Sequence, residues 1–220
     1  MLDVVVLASG RGSNFAALLD AQRHGDLPIR IRAVLSDKAA ARALTRARKA
    51  GIDAIALSPA DYPDRAAFDR ALFARAADYA PGLIVLAGYM RVIDDAVVDA
   101  WRGRLINIHP SLLPRYPGLR THARALDAGE RVHGASVHFV TAQLDGGPVI
   151  AQAQMPILAG DTPEAIAARL LPLEHRLLVA SVDLIARGRI ALGNDAVELD
   201  GTPLVAPLML HGNGTLGAVG

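Results

Sequence analysis

Along the first half of the chain, short apolar runs alternate with longer alanine-rich segments in which apolar residues recur at helical spacing. "VVVLA" (4–8), "IRAVLS" (31–36), "DAIAL" (53–57), "LIVLA" (83–87) and "RLINI" (104–108) read as strands. Segments 14–22, 39–50, 66–79 and 94–101 read as the helices between them. Nearly continuous apolar strands joined by helical crossovers predict a parallel sheet covered on both faces. The expected fold class is α/β: a mostly parallel twisted sheet with helices on both faces and right-handed connections. In such a sheet ligands gather at the carboxyl ends of the strands, near a reversal of strand order.

The second half changes rhythm. The Pro/Gly-rich stretch 110–118 cannot continue as a regular element and is expected to wrap the site as loop. "GASVHFV" (134–140) and "PVIAQAQMPI" (148–157) alternate as strands do, separated by "TAQLDGG". Residues 162–187 form a helical candidate opened by "TPEAI", with a cap, a proline at the first helical position and an early acid. Pro172 is expected to kink or break it. No internal repeat stands out, so residues 1–204 are expected as a single domain, and the glycine content of 205–220 reads as a flexible tail.

Composition narrows the classes of function. The chain has 220 residues, 20% of them charged, and a formal net charge of +1. That balance gives no electrostatic case for a nucleic-acid or membrane-surface partner. Of 23 basic residues only Lys38 and Lys49 are lysine, a bias read first as genomic composition. The absence of cysteine excludes disulfides, a redox thiol and cysteine-ligated zinc. The N-terminal apolar run is too short for a bilayer span or an export signal, so a cytoplasmic location is expected. A self-interface is compatible with the apolar content, which leaves a homodimer open, with no seam readable.

Two stretches carry candidate chemistry. "ASGRGSN" (8–14) follows the first strand and opens the first helix. Gly10 and Gly12 permit a tight turn, while Ser13 and Asn14 can cap the helix and turn amides toward an anion. Binding of one phosphate at this turn is one reading, and an unoccupied turn and cap is the other. Phe15 stands where no third glycine follows, so the dinucleotide fingerprint is incomplete.

The second stretch is "RLINIHPSLLPRYPG" (104–118), which places Asn107 and His109 at the end of the fifth strand. Asn107 can donate to charge developing on an oxygen, and His109 can shuttle a proton near neutral pH. Asp145, before two glycines, can orient His109 and favour its charged form. The alternative is turn chemistry at both places. His138, alternating within a strand, reads as packed or supporting. No acid or second histidine falls at the short helical spacing of hydrolytic zinc sites, so no metal is expected.

"GRGSN", "VLAGYMR" (85–91), "NIHPSLLPRYPG" (107–118), "HGASVHFVTAQLDGGPVI" (133–150) and "EH" (174–175), in this order, resemble the phosphoribosylglycinamide formyltransferase family over roughly residues 2–200. The resemblance implies a Rossmann-like formyltransferase fold. It also implies transfer of the formyl group of 10-formyltetrahydrofolate to the amine of glycinamide ribonucleotide in purine synthesis. Asn107 and His109 would then meet the formyl oxygen, with Asp145 managing the charge of His109 and proton transfer through water.

The same resemblance implies phosphate binding at Gly12, Ser13 and Asn14, and substrate contacts from Leu171, Pro172, Leu173 and Glu174. Met90, Arg91, Val92 and Ile93 would border the folate pteridine. The loop Thr141, Ala142, Gln143, Leu144 and Asp145 would supply backbone bonds to its amino-pyrimidine edge, and Arg65 would lie near the folate tail. Leu171 and Pro172 depart from the glutamine-rich sequence common before the Glu-His pair. Arg120 stands where a histidine is common.

Rival functions share part of this equipment. A formyltetrahydrofolate deformylase and the enzyme that formylates initiator methionyl-tRNA use the same Asn, His and Asp chemistry. The first normally carries an extra domain before this fold and the second one after it, and this chain is expected to hold neither. A dehydrogenase needs the missing third glycine. A non-catalytic phospho-ligand binding protein would bind without turnover.

Overall fold

In the computed structural model, residues 1–194 and 196–218 are described, and they divide into two compact units, 1–107 and 108–220.

The first unit is built on β1 (Leu2–Leu7), β2 (Ile29–Ser36), β3 (Asp53–Ala56), β4 (Leu83–Leu86) and the opening residues of β5 (Leu105–His109). β1 pairs in parallel with β2 and β4, β2 with β3, and β4 with β5. Successive strands therefore run outward on one side of β1 through β2 and β3, then return to its other side as β4 and β5. This is a reversal of strand order, and it places the loops after β1 and β4 together at the carboxyl end of the sheet. The crossovers carry α1 (Ser13–His24), α2 (Arg42–Lys49), α3 (Arg65–Ala77) and α4 (Asp95–Ala100). Phe15, Leu18, Leu44, Phe68 and Leu72 on these helices are fully buried with Val4, Val5, Val6, Ile84 and Leu105 on the strands. Each such side chain removed from water contributes about 1.5–3 kcal/mol.

The second unit begins with the last residues of β5 and contains α5 (Thr121–Asp127), β6 (Val132–Phe139), β7 (Val149–Pro156) and α6 (Pro163–Ala186). β6 and β7 pair antiparallel, and α6 packs on both through Ile166, Leu170, Leu177 and Val182. Thr162 caps α6 by accepting from Ala165 N at 3.2 Å, with Pro163 at the first turn. Pro172 neither breaks nor ends the helix, which continues for 24 residues. The buried stripe on both sides of Pro172 holds the helix where propensity alone would end it. Just beyond the 110–118 stretch expected as loop, α5 forms one short helix.

The segment expected as a flexible tail also contributes structure. β11 (Leu208–Leu210) pairs in parallel with β7 and antiparallel with β12 (Leu216–Gly217), with Leu208 buried. An open strand edge and a buried leucine stabilise this segment despite its glycines. Before it, β8 (Ile190–Leu192), β9 (Val197–Leu199) and β10 (Thr202–Pro203) make a small antiparallel sheet, which the sequence patterning did not predict.

Candidate active site

At the carboxyl end of β1, Gly12 adopts φ 69° and stands at the cap position of α1 without any side-chain cap bond. Ser13 and Asn14 lie inside the first turn rather than capping it. Glycine is required at position 12 twice over: the backbone is left-handed, and a Cβ would stand 2.7 Å from Ala43. α2 closes against this turn through Ala43 N to Gly10 O at 3.1 Å and Arg46 Nε to Arg11 O at 3.0 Å. The first turn of α1 contains no acid, so its N–H groups and the helix dipole suit an anion.

The loop after β4 lies beside it. Ser9 N donates to Gly88 O at 3.0 Å, and Met90 N donates to Ser9 Oγ at 3.0 Å. Met90 is 63% exposed and Val92 47%, so neither packs into the core, while Ile93 is buried. Arg91 stacks over Phe68 at 5.1 Å from the ring centroid. Arg65 is exposed in the first turn of α3, after the cap Asp64 accepts from Ala67 N at 2.7 Å.

β5 carries Asn107 and His109 at alternate positions, so both side chains leave the same face of the strand. Asn107 is half-buried and His109 buried. His109 Nε2 lies 3.0 Å from Tyr116 O. A carbonyl only accepts, so Nε2 carries a proton in the neutral ring and Nδ1 is the nitrogen that gains and loses one. Nδ1 stands 3.4 Å from Asp145 Oδ2, an ion-pair distance for the charged ring.

Asp145 is placed by the turn that holds it. Its backbone has φ 48°, Gly146 N donates to Gln143 O at 3.0 Å, and a Cβ on Gly147 would stand 1.9 Å from Phe139 O. The carboxylate is 10% exposed and accepts from Gly118 N at 2.8 Å. Asp145 thereby ties the 110–118 loop to the 141–147 loop. Leu144, exposed beside it, touches the position of Gly118.

Other histidines support this pair. His138 Nδ1 lies 2.8 Å from Phe139 O, and its Nε2 stands 3.8 Å from Asp145 Oδ1. Burial lowers the His138 pKa, with Asp145 acting the other way. His122 Nδ1 and His133 Nε2 are hydrogen-bonded at 2.9 Å. Burial lowers the pKa of both, His133 to about 4, so the pair is neutral near pH 7. Sequence reading missed this pair, because the two rings lie on different elements, α5 and β6, with no helical spacing to link them.

Ser136 and Gln152 form a further unanticipated support. Ser136 Oγ donates to Ser111 O at 2.7 Å and accepts from Leu113 N at 3.0 Å, while Gln152 Nε2 donates to Leu113 O at 2.8 Å. These bonds fasten the proline-rich loop after His109 to β6 and β7. Leu171, Leu173 and Glu174 are half-buried on α6, and Pro172 is exposed there. Arg120 is exposed with φ 57° at the start of α5. Among the described residues no group of three or more His, Asp or Glu side chains is arranged to hold a metal ion.

The first unit thus carries an anion-suited turn after its first strand, and the second an imidazole faced by a buried carboxylate. Residues 2–182 match the family described as formyl transferase, a match that runs through the division between the two units. The chain is 47% identical over 203 residues to phosphoribosylglycinamide formyltransferase of Escherichia coli K12, covering 92% of this chain and 96% of that one. The solved phosphoribosylglycinamide formyltransferase of Coxiella burnetii superposes with TM-score 0.89 at 47% identity, covering 93% of this chain and 96% of that chain. Glycinamide ribonucleotide transformylase 1 of Symbiobacterium toebii superposes with TM-score 0.88 at 46% identity, covering 90% and 94%. The chain belongs to the formyl transferase family and, within it, to the phosphoribosylglycinamide formyltransferases.

Proposed function

We propose that this enzyme transfers the formyl group of 10-formyltetrahydrofolate to the amine of glycinamide ribonucleotide, giving formylglycinamide ribonucleotide and tetrahydrofolate. The amine attacks the formyl carbon, the carbonyl electrons collect on oxygen, and collapse of the tetrahedral intermediate expels the folate nitrogen, which receives through water the proton that the attacking amine gives up. Asn107 donates a hydrogen bond to the oxyanion, and His109 protonates it from Nδ1. Asp145 sits against that nitrogen and takes part in returning the proton through water. The observation that carries this reading is the His109–Asp145 pairing at 3.4 Å in a chain of this family.

The substrate phosphate is assigned to Gly12, Ser13 and Asn14, supported by the left-handed Gly12 turn and the acid-free first turn of α1. Leu171, Pro172, Leu173 and Glu174 on α6 line the ribose and amine end. Met90, Arg91, Val92 and Ile93 border the folate pteridine. The 141–145 loop serves its amino-pyrimidine edge, and Arg65 the glutamate carboxylates of its tail.

In the same proposal, residues 1–204 act as one formyltransferase domain, supported by the family match that spans both units. The partners are two small metabolites, with no nucleic acid or membrane involved, in keeping with a net charge of +1. The enzyme works in the cytoplasm, where both substrates dissolve, and a homodimer is the assembly to look for by sedimentation.

The test is the folate absorbance change when purified protein meets 10-formyltetrahydrofolate, with and without glycinamide ribonucleotide, followed by mass detection of the product. Turnover that needs the ribonucleotide, with a one-formyl mass gain, supports the proposal. Hydrolysis of the folate without it identifies a deformylase instead.

A further inference from the structure

Asp69 is a carboxylate in the interior of the first unit, with no exposed surface, at the fifth position of α3. A charge there is costly to desolvate and needs compensation. It does not cap α3, since Asp64 performs that role. Its Oδ2 instead accepts from Asp94 N at 2.8 Å, and its Oδ1 has no hydrogen-bond partner. Asp94 is in turn the cap of α4, accepting from Ala96 N at 3.2 Å.

The surroundings of Asp69 belong to the loop after β4. Arg91 and Arg65 act on it as cations, opposing the burial that raises its pKa. Arg91 packs over Phe68, the residue before Asp69. Tyr89 Oη and Arg91 Nε are buried without hydrogen-bond partners, and the pKa of Tyr89 is pushed up, first by burial and then by Asp69. Segment 88–94 is therefore held at both ends. Ser9 binds Gly88 and Met90 at one end, and Asp69 binds Asp94 at the other. Between these anchors Met90 and Val92 stay exposed.

We propose that Asp69 is a positioning residue for the formyl donor: from inside α3 it fixes the backbone of 90–94 and orients Arg91, so that the exposed face of this segment meets folate preformed. This inference rests on the assignment of 90–93 to the pteridine made above. A segment that needs no ordering on binding gives tighter binding, because that entropy has already been spent in folding. Asp69 touches no substrate, so its effect falls on folate affinity rather than on the chemical step.

The experiment compares the parent with Asp69→Ala and Asp69→Asn, first by amide hydrogen exchange in ligand-free protein and then by steady-state kinetics. Asp69→Ala is expected to speed exchange across 90–94 while leaving α1 unchanged. It should raise KM for 10-formyltetrahydrofolate roughly tenfold, the size of one lost hydrogen bond to a charged group. The kcat and the KM for glycinamide ribonucleotide should stay within about twofold, inside the ordinary scatter of a remote substitution. Asp69→Asn keeps an oxygen that can accept from Asp94 N and should recover most of the loss, which also guards against an alanine variant that fails to fold. Unchanged exchange in 90–94, or equal increases in KM for both substrates, would overturn the inference. If the parent itself does not formylate glycinamide ribonucleotide, the assigned function fails. Binding of 5-formyltetrahydrofolate, followed by fluorescence, then replaces KM as the readout for Asp69, and equal affinity in parent and variants would overturn it.

Discussion

Asp145 Oδ2 stands 3.4 Å from His109 Nδ1 while the same oxygen accepts from Gly118 N at 2.8 Å. One carboxylate oxygen thus faces the imidazole and fastens the loop that follows it. The other nitrogen of His109 is committed to Tyr116 O, from that same loop. Any proton exchanged with a reacting group therefore passes through Nδ1 and is felt directly by Asp145.

Asp145→Asn tests this relationship at small structural cost. Asparagine tolerates the left-handed φ of 48° and keeps an oxygen for Gly118 N. What it removes is the charge facing His109. The expected result is a fall in kcat of roughly 10²–10⁴, the usual contribution of acid–base assistance. A melting temperature within a few degrees of the parent would show that the loop survives, and parent-like turnover would refute the role.

Asn107→Ala should behave differently. It removes a donor two residues from His109 on the same strand face, without touching the proton path. Loss of one oxyanion donor costs about 2.7–4 kcal/mol at the transition state, or roughly 10²–10³ in kcat. The pH profile of the residual activity should keep the parental shape, whereas that of Asp145→Asn should not. Identical profiles for the two variants would place both residues in one role.

Much of this arrangement was readable from residue order. Parallel strands announced themselves because both faces are buried, so Val4–Leu7 and Leu83–Leu86 appear as unbroken apolar runs. Asn107, His109 and the Asp145 turn could be singled out because β5 ends in polar residues and two glycines follow Asp145. The division at Asn107/Ile108 falls inside β5 and leaves no compositional mark. The continuous α6 was hidden by Pro172, whose local penalty is outweighed by burial on either side. β11 was hidden by neighbouring glycines, since its order comes from pairing with β7 rather than from its own pattern. His122 with His133, and Asp69 with Asp94, are tertiary pairings with no sequence period to reveal them.

The buried histidines predict how stability responds to acid. The His133 pKa is lowered from 6.5 to about 4, chiefly by burial and next by His122; Pro110 O and Glu130 act the other way, and His109 adds to the lowering. His122 and His138 shift in the same direction. Because the unfolded chain binds these protons first, the stability tied to neutral His133 is complete above pH 6.5 and is lost as pH falls toward about 4. Urea midpoints should drop across that window. His133→Gln, which can still bond Pro110 O and His122, should show a shallower drop, and an unchanged slope would remove His133 from the account.

Gly12→Ala tests the proposed phosphate site, to which backbone rather than side chain is assigned. The left-handed φ of 69° costs a non-glycine residue about 1–2 kcal/mol. The new Cβ would also stand 2.7 Å from both Cα and Cβ of Ala43, so either the turn or α2 must shift. A shift of the turn re-aims the first amides of α1, and the phosphate of glycinamide ribonucleotide loses hydrogen bonds that no side chain can replace. The expected outcome is a KM for glycinamide ribonucleotide raised roughly tenfold or more, about 1.4 kcal/mol, with KM for the folate little changed. Parallel increases in both would mean that the 8–14 turn serves the whole sheet end rather than the phosphate. Steady-state kinetics with each substrate varied in turn separates the two.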